Sequence, residues 1–219
     1  MPADRLLIFA RQPVPGSVKT RLIPALSADA AAAVYEASLH DVLRLAARER
    51  GRVELWYDGG SDAEHYFTRE FPVLRLVRQA PGDLGERMRD AFERSFADGA
   101  ERVIIMGSDS PTLPEAHLRA AFDTLHEGSA VVGPAMDGGY YLIGVPAAGW
   151  PAAAALFDGV AWSTAMVLEQ TLERAAAAGI VVRSVPQWYD IDTVDDLRVA
   201  ADDALPDSRL YACLKELPL

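Results

Sequence analysis

Residues Val103-Ile-Ile-Met-Gly-Ser-Asp-Ser-Pro111 place a single carboxylate, Asp109, just past a continuous apolar run. Such a run reads as a buried parallel strand, and ligands of open α/β sheets bind beyond the carboxyl ends of those strands. Gly107 lets the backbone turn sharply, and the flanking Ser108 and Ser110 are small. A hard divalent cation and its phosphates could therefore approach the acid without obstruction. A metal-dependent nucleotide site is the leading expectation. The same residues also suit a turn begun by Ser108 or Ser110, with Asp109 capping the helix after Pro114.

Three further segments carry groups of the same kind. In Arg11-Gln-Pro-Val-Pro-Gly-Ser-Val-Lys-Thr-Arg-Leu22, Pro13 and Pro15 stiffen a loop, Gly16 permits an unusual backbone angle, and Lys19 and Arg21 supply cationic donors for phosphate. Lys19 stands out because the only other lysine is Lys215. The Gly-x-x-x-x-Gly-Lys-Ser/Thr phosphate loop is absent, and a solvated surface loop explains the same charges. In Gln79-Ala-Pro-Gly-Asp-Leu-Gly-Glu-Arg-Met88, the Gln79 amide suits a nucleobase edge, with Gly82 and Gly85 leaving room for the ring. A helix start capped by Asp83 explains that segment equally well.

The remaining candidates are acidic and aromatic. Asp137-Gly138-Gly139-Tyr140 puts a carboxylate on a tight turn, and Asp190-Ile-Asp192 places two acids on one side of an extended segment. Paired acids are typical hard-metal ligands. Thr193, Asp195 and Asp196 read more simply as an ordinary helix start. Trp162-Ser163-Thr164 combines a helix cap with an aromatic that suits either the core or a sugar ring.

These segments must be positioned by alternating strands and helices. Strands are expected at Leu6–Ala10, Val53–Tyr57, Val73–Val77, Val103–Met106, Ala130–Pro134, Tyr140–Val145 and Ile180–Val185. Helices are expected from the Ser27 cap to about Arg50, then over Asp62–Arg69, Asp83–Ala97 and Pro114–His126, from the Ser163 cap to about Ala178, and after the Thr193 cap. The turn-rich Asp137–Gly139 spacing marks Tyr140–Val145 as an antiparallel element. The pattern predicts one three-layer α/β/α domain over residues 1–219 with a mostly parallel sheet.

Composition narrows the partners. The chain has 219 residues, 50% of them hydrophobic, which is ample for a core. A net charge of -11 without any basic stripe argues against a nucleic-acid surface. Cys213 is the sole cysteine, so no intrachain disulfide forms and a reducing cytoplasm is the expected compartment. His40, His65, His117 and His126 lack mutual ligand spacing, which sets a zinc site aside. The apolar stretch Leu6–Ala10 is too short for a membrane span.

Taken in order, Phe9–Leu22, Gly82–Met88, Gly107–Pro111, Gly133–Gly144, Trp162–Thr164 and Asp190–Thr193 resemble the bacterial glycosyltransferase-like proteins named selenodomain-associated transferases. The resemblance runs from about residue 5 to 200. It implies the nucleotide-diphospho-sugar transferase fold, GT-A, in which an aspartate motif ending the fourth strand holds Mg2+ or Mn2+ on nucleotide phosphates. Asp109 matches that position, within Ser-Asp-Ser where the broader superfamily often has two acids. Asp190 and Asp192 match a second metal-binding pair. Lys19 and Arg21 stand near the phosphate-loop positions, although the full Gly-x-Gly-Thr-Arg loop is missing.

The expected site therefore has Lys19, Arg21, Asp109 and Asp137 as catalytic groups and Asp109, Asp190 and Asp192 as metal ligands. A nucleotide or nucleotide sugar would lie on Ala10, Arg11, Gly16, Lys19, Arg21, Gln79, Gly82, Gly85, Arg87, Ser108 and Asp109. A small-molecule acceptor would lie on Asp137, Gly138, Gly139, Tyr140, Trp162 and Ser163. Sugar transfer from a nucleotide-diphosphate sugar is the favoured reaction. Nucleotidyl transfer to a phosphorylated acceptor with release of pyrophosphate is the alternative, and a non-catalytic nucleotide-binding protein is a third.

Overall fold

A computed structural model describes residues 4–49, 51–125 and 129–217. Its strands are β1 (Asp4–Arg11), β2 (Arg52–Asp58), β3 (Arg75–Arg78), β4 (Arg102–Met106), β5 (Ser129–Pro134), β6 (Tyr140–Pro146) and β7 (Val181–Ser184). Its α-helices are α1 (Ala28–Ala46), α2 (Ser61–Glu70), α3 (Leu84–Ala97), α4 (Glu115–Thr124), α5 (Val167–Ala177), α6 (Val194–Asp203) and α7 (Arg209–Leu214). The strands form one sheet in the order β3-β2-β1-β4-β6-β5-β7. β6 runs antiparallel to β4 and β5, and the other pairings are parallel. The chain thus has the expected α/β architecture, with its antiparallel strand at Tyr140.

Alternation along β1 divides the core into two layers. Leu6, Ile8 and Ala10 face α1, α2 and α4 through Leu39, Val42, Phe67 and Leu118. Leu7 and Phe9 face the opposite layer, with Met88 and Phe92 of α3, Leu156 and Phe157 of a 3-10 turn, and Ala175 of α5. Phe92 is wholly buried, so truncation to Ala would cost about 3–5 kcal/mol. A third cluster joins Leu22, Leu26 and Val34 to Ile191, Leu197 and Leu210, seating the C-terminal helices on the loop after β1 and the start of α1.

Local signals set most boundaries. Ser27 caps α1 by accepting from Ala30 N, while Asp83 and Thr193 form capping boxes with Glu86 and Asp196. Three expectations are corrected. β3 begins at Arg75, because Leu74 N closes a turn on Phe71 O and leaves Val73 92% exposed. Ser163 does not cap α5: its φ is +63°, and the helix starts at Val167. Asp109 does not cap α4, whose N-cap position is Pro114 without a side-chain bond. A seventh helix, α7, capped by Ser208, follows α6. α1 ends at Ala46 and α4 at Thr124; the expected extensions to Arg50 and His126 reach positions outside the described residues.

Candidate active site

The loop after β1 turns back over the carboxyl end of the sheet. Lys19 caps its 3-10 turn (Thr20–Leu22) in the left-handed region, φ 47° and ψ 41°, a conformation that costs a non-glycine residue about 1 kcal/mol. That backbone aims a side chain only 3% exposed into the molecule, where Nζ contacts Asp109 Oδ1 and lies 3.0 Å from Asp192 Oδ1. Burial opposes the charge, yet the Asp109 and Asp192 carboxylates hold the Lys19 pKa above its ordinary value. Arg21 Nη1 reaches Asp192 Oδ2 at 3.3 Å from an exposed position.

A backbone bond joins the acids. Ile191 N donates to Asp109 O at 2.9 Å, which brings Asp190 and Asp192 alongside the end of β4. Asp190 accepts a hydrogen bond from Ser110 Oγ. Its burial, followed by the neighbouring Asp109 charge, pushes its pKa from 3.8 up to about 7. Tyr35 of α1 completes this wall: its hydroxyl lies 2.9 Å from Ser108 Oγ and accepts from Arg11 N at 2.8 Å.

The same cleft, about 690 Å3, extends past Gln79 to Asp137, Tyr140, Trp162 and Ser163. Asp58 ends β2 at its rim, 2.6 Å from Arg87 Nη1 and 3.9 Å from Arg11 Nε. Gln79 Nε2 donates to Trp56 O at 2.7 Å, so its amide is oriented by β2. Also on the cleft, Asp137 Oδ1 accepts from Gly139 N at 2.9 Å, closing the turn. Tyr140 lines the cleft, with its hydroxyl buried beside Thr171.

Comparison with known proteins fixes the family. A family model described as an uncharacterized protein conserved in bacteria, DUF2064, matches residues 41–164. The chain belongs to the DUF2064 family. A solved protein of Desulfovibrio desulfuricans, provisionally described as a nucleotide-diphospho-sugar transferase, is 36% identical with TM-score 0.91, over 99% of this chain and 95% of that one. A 4-diphosphocytidyl-2C-methyl-D-erythritol synthase shares the fold at TM-score 0.59 and 12% identity, over 91% of this chain and 97% of that one. A cytidylyltransferase of Leptospira borgpetersenii does so at 0.55 and 13%, over 99% and 95%. No curated protein sequence matches. The DUF2064 chain therefore has the nucleotide-diphospho-sugar transferase fold that its motifs implied.

Most residues singled out in the DUF2064 sequence meet in this cleft: Ala10, Arg11, Lys19, Arg21, Gln79, Arg87, Ser108, Asp109, Asp137, Gly139, Tyr140, Trp162, Ser163, Asp190 and Asp192. Four glycines serve the backbone around it instead. Gly16 and Gly82 adopt φ of +81° and +117° in turns. A Cβ on Gly85 would fall 2.6 Å from the Trp162 indole, and one on Gly138 2.1 Å from Ala165 O. The space at Gly85 is thus filled by the protein's own ring and not held open for a base. Tyr35 and Asp58 were missed. Tyr35 carries no local signal, since a buried helix position reads as core, whereas Asp58 at a strand's carboxyl end was visible by position.

The donor set suits a hard cation. Asp109, Asp190 and Asp192 offer only carboxylate oxygen, and the cations paired with them, Lys19 and Arg21, reach Asp109 and Asp192. Among the described residues no helix is long and apolar enough to cross a membrane.

Proposed function

We propose that this DUF2064 protein is a metal-dependent transferase that moves a sugar from a nucleotide-diphosphate sugar to a small-molecule acceptor, in the cytoplasm. The observation that carries the reading is one cleft that gathers three carboxylates, Lys19 and Arg21 together with Asp137, Tyr140 and Trp162. Asp109, Asp190 and Asp192 would hold Mg2+ or Mn2+, which when bound neutralises charge on the nucleotide phosphates. Lys19 and Arg21 stabilise the negative charge that grows on the departing diphosphate. Trp162, seated on Gly85, offers the acceptor an apolar face, and Asp137, exposed on its turn, offers it a hydrogen-bond acceptor. Holding donor and acceptor together supplies the orientation that a bimolecular encounter lacks.

Nucleotidyl transfer is the second reading. It is favoured by the burial of Lys19 beside Asp109, a cradle that equally suits a triphosphate losing pyrophosphate. The leaving group separates the two. Incubation with nucleotide sugars, acceptors and Mn2+ or Mg2+ should release nucleoside diphosphate and no pyrophosphate. Pyrophosphate formed stoichiometrically from a nucleoside triphosphate and a phosphorylated acceptor would establish the second reading instead. Full activity in excess chelator would discard the metal role in both.

A further inference from the structure

Glu36 and His40 lie four residues apart on α1, and so on one face of it, opposite Glu70, the last residue of α2. One ligand atom from each of the three lies within 4.8 Å of the other two. Each carboxylate has one oxygen committed to a donor that orients it. Tyr66 Oη donates to Glu36 Oε1 at 2.5 Å, and Arg69 Nε donates to Glu70 Oε1 at 2.9 Å. The His40 ring rests against Phe71, with centroids 4.8 Å apart. Its Nε2 is buried and has no hydrogen-bond partner among the described residues, which leaves a lone pair free for an ion.

We infer that Glu36, His40 and Glu70 form a divalent-metal site separate from the cleft, taking a borderline cation of the Zn2+ class. One imidazole nitrogen with two carboxylates favours such an ion over Mg2+, which prefers oxygen alone. Oriented ligands with hydrogen-bonded outer partners, here Tyr66 and Arg69, are the usual surroundings of a protein-bound ion. Zn2+ held at about 2.0–2.2 Å draws its ligands to roughly 3.5 Å from one another, a closure within the reach of side-chain rotation. Three protein ligands leave a position for water. Burial, ahead of the Arg209 guanidinium, holds the His40 pKa below its ordinary value, in keeping with a neutral ligand nitrogen. The ion would pin the end of α2 to α1, whose Tyr35 stands in the wall of the cleft.

Zn2+ titrated calorimetrically into the chelator-stripped full chain tests this, in a background of Asp109→Asn with Asp190→Asn that removes two of the three cleft carboxylates and keeps Asp192 as the partner of Lys19. One Zn2+ per chain is expected. Affinity should fall at least about tenfold on adding His40→Gln or Glu70→Gln, since even outer-shell losses reach that size. Co2+ used as a probe should show visible ligand-field bands that both variants lose. Absence of Zn2+ binding in the cleft-disabled chain overturns the site, as does unchanged affinity in either variant. Glu70→Gln keeps the shape of a half-buried helix end, so the outcome does not depend on His40→Gln folding. Failure here would leave the cleft reading untouched, because two of its three proposed ligands are already removed and neither His40 nor Glu70 belongs to it.

Discussion

The ammonium of Lys19 sits between the carboxylates of Asp109 and Asp192, the second of which lies 173 residues away along the chain. A lysine left only 3% exposed is stable there because two anions offset its desolvation. It also brings a fixed positive charge to the place where phosphates would gather. The ion pair is at once a tertiary clasp between the β1 loop and the segment before α6, and the central feature of the proposed cradle.

Replacing Lys19 by Met should therefore cost stability as well as binding. The three acids would be left without their buried counter-charge, at about 1–3 kcal/mol after allowing for the partial exposure of Asp109 and Asp192. Chemical denaturation would measure it, and nucleoside-diphosphate affinity should fall about tenfold or more. Lys19→Arg should not restore either property, since a planar fork does not fit a pocket shaped for a point charge. Wild-type stability in Lys19→Met would show that the clasp is idle.

Asp109→Asn keeps shape and removes charge. Nucleotide-induced thermal stabilisation that requires Mn2+ or Mg2+ should shrink sharply, while circular dichroism stays that of the folded chain. Metal-nucleotide binding equal to wild type would reduce Asp109 to a partner of Lys19.

Asp190 sets a pH dependence in the metal-free protein. Its pKa rises from 3.8 in the free residue to about 7 when folded, so the native state binds the proton more tightly than the unfolded one. Its stabilising contribution is complete below about pH 4 and is lost as the pH climbs through about 7. In chelator, Asp190→Asn should remove this downward slope between those limits. Parallel stability profiles for the two proteins would contradict the assignment.

Gly85→Ala probes the Trp162 side of the cleft lining. The new methyl would lie 2.6 Å from Trp162 Cζ2, so the indole must shift, at an overpacking cost of about 1–3 kcal/mol. A lowered melting point with altered tryptophan emission is expected. An unchanged melting point would mean that the ring moves freely.

The alternation of apolar runs with capped amphipathic segments determined the fold class from the sequence, because strand and helix periodicities are written in neighbouring residues. Ser27, Asp83 and Thr193 marked helix starts for the same local reason. Asp109 could be placed at the sheet's carboxyl edge from the run before it. Ser163 and Val73 misled where a cap-like residue or a β-branched one lies in a turn dictated by the chain on either side. The joining of the site was decided in three dimensions. Strand order brings Asp58 to the rim, α1 inserts Tyr35, and the Ile191–Asp109 backbone bond carries Asp190 and Asp192 to Lys19. Gly85 looked like space for a ligand until Trp162 was found in that space. Glu70 could join Glu36 and His40 only once α2 packed against α1. Local propensity acts over a few residues, whereas convergence depends on which distant segments the core forces together.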